Sequence, residues 1–411
     1  MKTEVVVIGG GATGAGVLRD LALRGIEAVL LEQEELTSGT SGRNHGLLHS
    51  GARYAVNDPD SARECLAENK ILKKIASPCI EPTGGFFLAL PQDPPHYADD
   101  LLRACAGLDL PAVEVPPADV LQKEPALSPK IKRAICVPDA SIDPFRLIRS
   151  NVEEAERLGA KIFPHRRVVA IFTADGTIHG LQAIDSKTGE EFHIACRFII
   201  NAAGVWAGSV ARMAGARLDI LFSKGSLVVL NRRLVNSVIN RCRPPSNGDI
   251  LVPHGPALII GTTSQTVTAI EDPSPEEEEV DLLLSEGETI LPEIGSTRAI
   301  RAYAGVRPLM GAREAGEDSR KISRDFLLLD HGEADQIKGL FSIVGGKLTT
   351  YRLMAERTVD EIVKAMGGKT SCTTAGKPLP FPKEIFLFLV PFSFSVLGAL
   401  KISLLFWPLK I

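Results

Sequence analysis

Apolar and polar positions alternate in a strand, turn, helix, strand order over the first 32 residues. Val5–Ile8 is a run of four apolar residues that reads as a buried strand. Over residues 15–24, Val17, Leu18, Leu21 and Ala22 recur at helical spacing. Gly25 stops that helix, and Ala28–Leu31 forms a second apolar run. Further on, residues 61–76 read as an amphipathic helix through Ala62, Cys65, Leu66, Asn69, Leu72 and Ile75, with Ser61 and Glu64 spaced as a capping box. Residues 86–90 read as a strand, and residues 99–106 and 116–121 as helices. The opening pattern resumes with a helix over 145–158, capped by Gly159, and a strand over 161–164. Residues 167–172 and 180–185 alternate like the two arms of a hairpin, and 191–196 follow a turn at Gly189. A buried strand over 198–200 then runs into a helix over 207–214. Residues 217–229, 251–261, 299–308 and 326–330 read as strands. Ser274 as N-cap and Pro275 at the first helical position open another helix. Last, a strand over 340–344 leads through Gly345 and Gly346 into a long amphipathic helix.

Gly9, Gly11 and Gly14 fall between the first strand and the first helix in the spacing G-x-G-x-x-G. Gly9 allows the tight turn, Gly11 lets a pyrophosphate approach the backbone, and Gly14 lets the helix pack closely on the strand. The helix N-terminus offers N–H groups to phosphate, and Glu32, at the end of the second strand, can accept hydrogen bonds from a ribose diol. The reading is an α/β fold with a Rossmann-type dinucleotide-binding domain. The motif by itself does not separate FAD from NAD. Residues 36–54 are rich in Gly, Ser and Thr and leave the carboxyl end of a parallel strand, which makes them a cofactor-and-substrate loop. Ser41 and Asn44 can donate to phosphate there.

The chain has 411 residues, enough for two domains. Its net charge of −4 argues against a broad nucleic-acid surface, so an anionic substrate needs a local basic pocket. The seven cysteines include no C-x-x-C pair, and the eight histidines are scattered, so no metal site is expected. The chain enters its first strand almost at once. No signal peptide is therefore expected, and the thiols read as reduced, in the cytosol.

IGGGATGAG, TSGRNHGLLHSGARY, SARECLAEN, VPDASIDPFRL, NAAGVW, KGSL, INRCRPPSNGDILVP, IGTTS, RAYAGVRPL, SRDFLLLDH and GGKLTTYRLMAE together form a specific set. From about residue 4 to 374 the chain resembles the FAD-dependent glycerol-3-phosphate dehydrogenases, and most of all the large (A) subunit of the anaerobic enzyme. These are D-amino-acid-oxidase-like flavoproteins. The resemblance implies an FAD-binding domain over 1–75, 145–215 and 331–370, interleaved with a β-rich α+β substrate domain over 76–144 and 216–330. It also implies oxidation of sn-glycerol 3-phosphate to dihydroxyacetone phosphate. The same resemblance implies that hydride passes from C2 to flavin N5 and that electrons pass on to the quinone pool or to electron-transfer partner subunits at the inner face of the cell membrane.

Motif and resemblance together assign FAD contacts to Gly9, Gly10, Gly11, Ala12, Thr13, Gly14 and Glu32 in the first unit. In the following loop they assign Thr40, Ser41, Gly42, Asn44, Gly46 and Leu47. Val168, Ala203, Gly204 and Trp206 belong to the middle of the chain, and Gly346, Lys347, Leu348 and Thr349 to the last segment. For the substrate phosphate the resemblance points to Arg53, Arg307 and Arg324, with Tyr54 adding a hydroxyl. Arginine's planar fork suits phosphate oxygens. Removal of the hydroxyl proton needs a base, for which His49 and His45 are both candidates. Lys347 is expected either to contact substrate or to stabilise negative charge on the reduced flavin.

The resemblance stops near residue 380, where the anaerobic enzyme's large chain continues into a cysteine-rich domain. Residues 385–407 are instead apolar except for serines and Lys401. Three readings compete for residues 381–411: a membrane anchor, an interfacial hairpin, and a truncated or frame-shifted end. Rival functions are an FAD oxidase of an amine or 2-hydroxy acid, an inactive truncated subunit, and an NAD-dependent glycerol-3-phosphate dehydrogenase.

Overall fold

The computed structural model describes residues 1–271, 273–309 and 325–381. Arg324 and the apolar stretch at 385–407 lie outside the described residues.

The apolar runs do become strands. Six of them form one sheet in the order Phe326–Asp330, Leu340–Gly345, Phe198–Asn201, Val5–Ile8, Ala28–Leu31 and Lys161–Phe163. Neighbours are parallel except for Phe326–Asp330, which runs antiparallel to Leu340–Gly345. Val5 is level with Phe198 on one side and with Ala28 on the other. The three central strands are buried at every position, as unbroken apolar sequence requires of a sheet covered on both faces. On one face lie the helices Ala12–Leu23, Pro144–Arg157 and Tyr351–Ala365. Val17, Leu18 and Leu21 pack there with Val359 and Ile362 against Val5, Val7 and Leu30. Burial of each such side chain stabilises by about 1.5–3 kcal/mol. The other face is covered by the helix Ala207–Met213 and by an antiparallel sheet of Arg166–Ala174, Thr177–Asp185 and Glu191–Ala195. A buried polar pin ties the six-stranded sheet together. His331 Nδ1 meets Asp335 at 2.5 Å and Nε2 meets Ser342 Oγ at 2.8 Å, while Asn201 Nδ2 donates to the same hydroxyl at 3.0 Å.

A second, nine-stranded sheet draws on Gly85–Ala89, Val113–Val115 and Arg133–Val137 and on six strands between residues 221 and 309. Its organising strand is Leu221–Leu230. One edge pairs along its whole length with Ala299–Leu309. The other edge is shared by Gln265–Val267 and Ala257–Gly261. The helix Glu277–Ile290 packs on this sheet through Leu283 and Ile290.

Several local expectations are corrected. The helix expected over 61–76 is Pro59–Ile75. Its N-cap is Asp58, whose carboxylate accepts from the Ser61 N–H, so Ser61 is not the cap. Pro59 at the first helical position fits that start. The helix expected from Ser274 begins at Glu277, with Glu276 and Glu279 forming the capping box, because Glu276 sits extended just before the first turn. Residues 251–261 are two antiparallel strands, Ile250–His254 and Ala257–Gly261. The segment after Gly346 is first a short 3-10 turn, Leu348–Thr350, and only then the helix Tyr351–Ala365. Sequence reading also missed the strands Arg133–Val137, Ala140–Ile142 and Val238–Arg241.

Candidate active site

A continuous cavity of about 1660 Å³ runs from the carboxyl ends of Val5–Ile8 and Ala28–Leu31 to the face of the nine-stranded sheet. Pockets for one small ligand measure about 300–1,000 Å³, so this one has room for a dinucleotide and a second small molecule.

The glycine turn builds one end. Gly9 has φ +114°, a conformation that L side chains rarely adopt, and a Cβ there would lie 2.5 Å from the Ala202 carbonyl oxygen. A Cβ on Gly14 would fall on the Gly9 carbonyl oxygen, so helix and strand touch at this point. The helix Ala12–Leu23 has Gly11 as its N-cap, which brings no side chain of its own. Its first N–H, of Ala12, donates to Ser41 Oγ at 3.0 Å. Glu32 lines the cavity with its carboxylate fixed by main-chain donors: Gly10 N–H at 2.6 Å and Glu34 N–H at 2.9 Å. Burial pushes its pKa up, against those hydrogen bonds. A helix N-terminus whose N-cap is a glycine, a cradle without Cβ atoms and an oriented acid fit the pyrophosphate and ribose of FAD.

Of the residues expected to touch FAD, Gly9, Gly11, Ala12, Thr13, Glu32, Thr40, Ser41, Asn44, Leu47, Val168, Ala203, Gly204, Trp206, Gly346, Lys347 and Leu348 line the cavity. The others act behind its wall. Gly10 holds Glu32, Gly14 packs on Gly9, and Gly42 lies against the Thr37 carbonyl. Gly46 takes φ +68°, its N–H donating to Asn44 Oδ1, and Thr349 Oγ1 accepts from the His49 N–H at 3.1 Å. Ser41 is engaged by the first helix and Asn44 within the loop. Ser41 Oγ accepts from Ala12, and Asn44 Nδ2 donates to the Ser41 carbonyl.

At the other end the structure brings together His45, His49, Arg53, Tyr54, Arg307 and Lys347. His49 sits edge-on to Tyr54 at 5.2 Å and to His45 at 6.1 Å between ring centroids. Its main chain is pinned by Thr349 and, through its carbonyl, by Asn69 Nδ2 at 3.2 Å. Its Nδ1 is buried with no hydrogen-bond partner among the described residues. Desolvation, then the neighbouring His45, Arg53 and Lys347, hold the His49 ring well below the usual imidazole range. The His45 ring is pushed down to about 3 by desolvation and by Arg307 and Arg53. Its Nδ1 accepts from the Leu47 N–H at 3.2 Å. Both rings are therefore neutral at ordinary pH, the form that can accept a proton.

Arg53 donates from Nη2 to the buried Asp249 at 2.6 Å, while its Nη1 is buried without a hydrogen bond among the described residues. Arg307 reaches from Ala299–Leu309 and donates from Nη2 to Thr262 Oγ1 at 2.6 Å, with Ser223 Oγ 3.5 Å from Nη1. Lys347 Nζ stands 5.1 Å above the Tyr54 ring and donates to Ser61 Oγ at 3.1 Å. Asp249, Thr262, Ser223 and Gly225 were not singled out in the sequence, since their importance comes only from what lies beside them.

The family model described as FAD dependent oxidoreductase matches residues 4–352. The A subunit of the anaerobic glycerol-3-phosphate dehydrogenase of Haemophilus influenzae is 45% identical over 388 residues, 93% of this chain and 68% of the relative. The chain belongs to the FAD-dependent oxidoreductases, with the A subunits of the anaerobic glycerol-3-phosphate dehydrogenases. The Escherichia coli K12 protein of the same name is 44% identical over 385 residues, covering 93% of this chain and 71% of that one. In fold the chain matches a glycerol-3-phosphate dehydrogenase from Bacillus halodurans complexed with FAD. The TM-score is 0.71 at 24% identity, over 94% of this chain and 70% of that one. The FAD cofactor and the α/β fold with a Rossmann-type FAD-binding domain expected from the sequence agree with these matches. Among the described residues no helix is long and apolar enough to cross a membrane, and no cluster of three or more His, Cys, Asp or Glu could hold a metal.

Proposed function

We propose that this chain oxidises sn-glycerol 3-phosphate to dihydroxyacetone phosphate. The observation that carries the reading is the meeting of Arg53 and Arg307 with two neutral histidines at one end of a cavity whose other end is a dinucleotide cradle. The names of the relatives support the same substrate. When bound, FAD supplies the two-electron acceptor for the hydrogen leaving C2. Arg307 and Arg53 hold the phosphate, which fixes where C2 lies. Tyr54 and Lys347 close the same end of the cavity. His49, with its orphaned Nδ1, takes the C2 hydroxyl proton, and His45 is the alternative base. The Leu348–Thr350 turn, to which the His49 main chain is tied through Thr349 Oγ1, holds the base in place in the cavity.

The relatives are named as one lettered component of a larger enzyme, which supports a multi-subunit assembly to which this chain hands its electrons. We place that assembly at the inner face of the cell membrane with quinone as the final acceptor. The experiment is an anaerobic visible spectrum of the FAD-loaded chain before and after addition of glycerol 3-phosphate. Bleaching of the yellow band is expected. A band that bleaches with an amine or a 2-hydroxy acid but not with glycerol 3-phosphate would overturn the reading.

A further inference from the structure

Gly225 lies in the middle of Leu221–Leu230, is buried, and lines the substrate end of the cavity. It stands level with Gly305 on the neighbouring strand, two residues before Arg307. The Arg307 guanidinium occupies the space where the Gly225 side chain would be. A Cβ at this position would sit 2.6 Å from Arg307 Cζ and 2.7 Å from Nη1, and closer still to Nη2. The guanidinium is held down on that space by Thr262 Oγ1 at 2.6 Å, by the Thr263 carbonyl at 3.4 Å and by Ser223 Oγ at 3.5 Å. All three partners flank Gly225, Ser223 in its own strand and Thr262 and Thr263 just beyond the paired strand.

We propose that Gly225 is a specificity-determining residue: its missing side chain is the seat that lets Arg307 lie flat in the cavity wall and select a phosphorylated alcohol. The inference rests on the reading of glycerol 3-phosphate as substrate. The three atoms nearest to a methyl group at 225 all belong to the far end of one long, flexible side chain. The backbone there does not need a positive φ, so alanine suits the strand and the guanidinium is the group that must leave. Arginine's value to a phosphate lies in its fixed planar fork, and a displaced fork loses that match.

The test is Gly225→Ala in the FAD-loaded full chain. FAD content and the visible spectrum should be unchanged. KM for glycerol 3-phosphate and the inhibition constant of inorganic phosphate should both rise at least tenfold. kcat/KM for glycerol, which has no phosphate, should stay within twofold. In an Arg307→Leu background the alanine should add nothing. Equal losses for glycerol and glycerol 3-phosphate, or an undiminished effect without Arg307, would overturn the proposal. If Gly225→Ala folds poorly, Gly225→Ala with Arg307→Leu should recover the fold, and failure to recover would also overturn it. If glycerol 3-phosphate does not reduce the wild-type flavin, the substrate reading fails. Perturbation of the flavin band by inorganic phosphate in wild type, lost in Gly225→Ala, still decides the seat.

Discussion

Arg53 and Asp249 are joined at 2.6 Å inside the protein, and Asp249 is fully buried. The same carboxylate accepts from Arg243 Nε at 2.8 Å and from the Ser246 N–H at 2.5 Å. Arg53 is thus anchored from behind, on the loop whose Pro244, Pro245 and Ser246 line the cavity. Removing one partner of a buried pair costs about 3–5 kcal/mol, because the other charge stays behind. Asp249→Ala is expected to lose stability on that scale in denaturant unfolding. It should also raise KM for glycerol 3-phosphate more than tenfold, since a phosphate clamp must be held in place to work. An unchanged KM would mean that Arg53 does not need the tether.

The two histidines make a pH prediction. The pKa of His45 falls from 6.5 to about 3 on folding, so between those values the unfolded chain binds more protons than the folded one. The stability contributed by His45 is complete above about pH 6.5. It declines as pH falls below that and is lost near pH 3. Unfolding midpoints in guanidinium at pH 7.5 and pH 5 should therefore differ less in His45→Gln than in wild type. A steeper difference in the variant would contradict the desolvated, cation-flanked environment. The groups facing His45 are Arg307, Arg53 and His49.

His49→Gln tests the base. A positioned general base contributes about 10²–10⁴-fold, so anaerobic flavin reduction should slow on that scale with little change in KM. An undiminished rate would remove His49 from the role and leave His45.

Glu32 should matter to the cofactor rather than to the substrate. Glu32→Ala leaves the Gly10 and Glu34 N–H groups without their carboxylate and takes away the expected ribose acceptor. FAD affinity, read by flavin fluorescence on titration, is expected to fall at least tenfold. KM for glycerol 3-phosphate in the loaded fraction should be unchanged.

The nucleotide cradle was legible because its signals are local. A strand, three glycines at fixed spacing, a helix and an acid lie within 28 residues, and each position is dictated by its neighbours. The histidines and arginines of the far end were legible only through matched motifs, and their anchors were not. Asp249 is an acid after Asn-Gly in a turn-like stretch, and nothing near it in the chain announces Arg53, 196 residues away. Val238–Arg241 was missed as a strand because its polar members, Asn240 and Arg241, are buried by distant partners. Arg241 pairs with Asp93 at 2.5 Å. The cap of Pro59–Ile75 was misplaced by three residues because Ser61 and Glu64 imitate a capping box, whereas Asp58 before Pro59 is the actual start. Ser342, His331 and Asp335 form a chain of hydrogen bonds like a hydrolase triad, yet Ser342 is 1% exposed and off the cavity, so geometry without access is only a pin.

The strand order of the first sheet sets a timetable for synthesis. Val5–Ile8 leaves the ribosome first but is flanked on one side by Phe198–Asn201, which in turn pairs with Leu340–Gly345. At about 5–20 residues per second, the first strand waits on the order of ten seconds or more for that neighbour. The wall of the cavity is complete only when Met354 has emerged. The glycine cradle, though encoded by residues 9–14, is therefore walled in only after Met354 has been made, and the cofactor meets an assembled sheet rather than a short nascent unit.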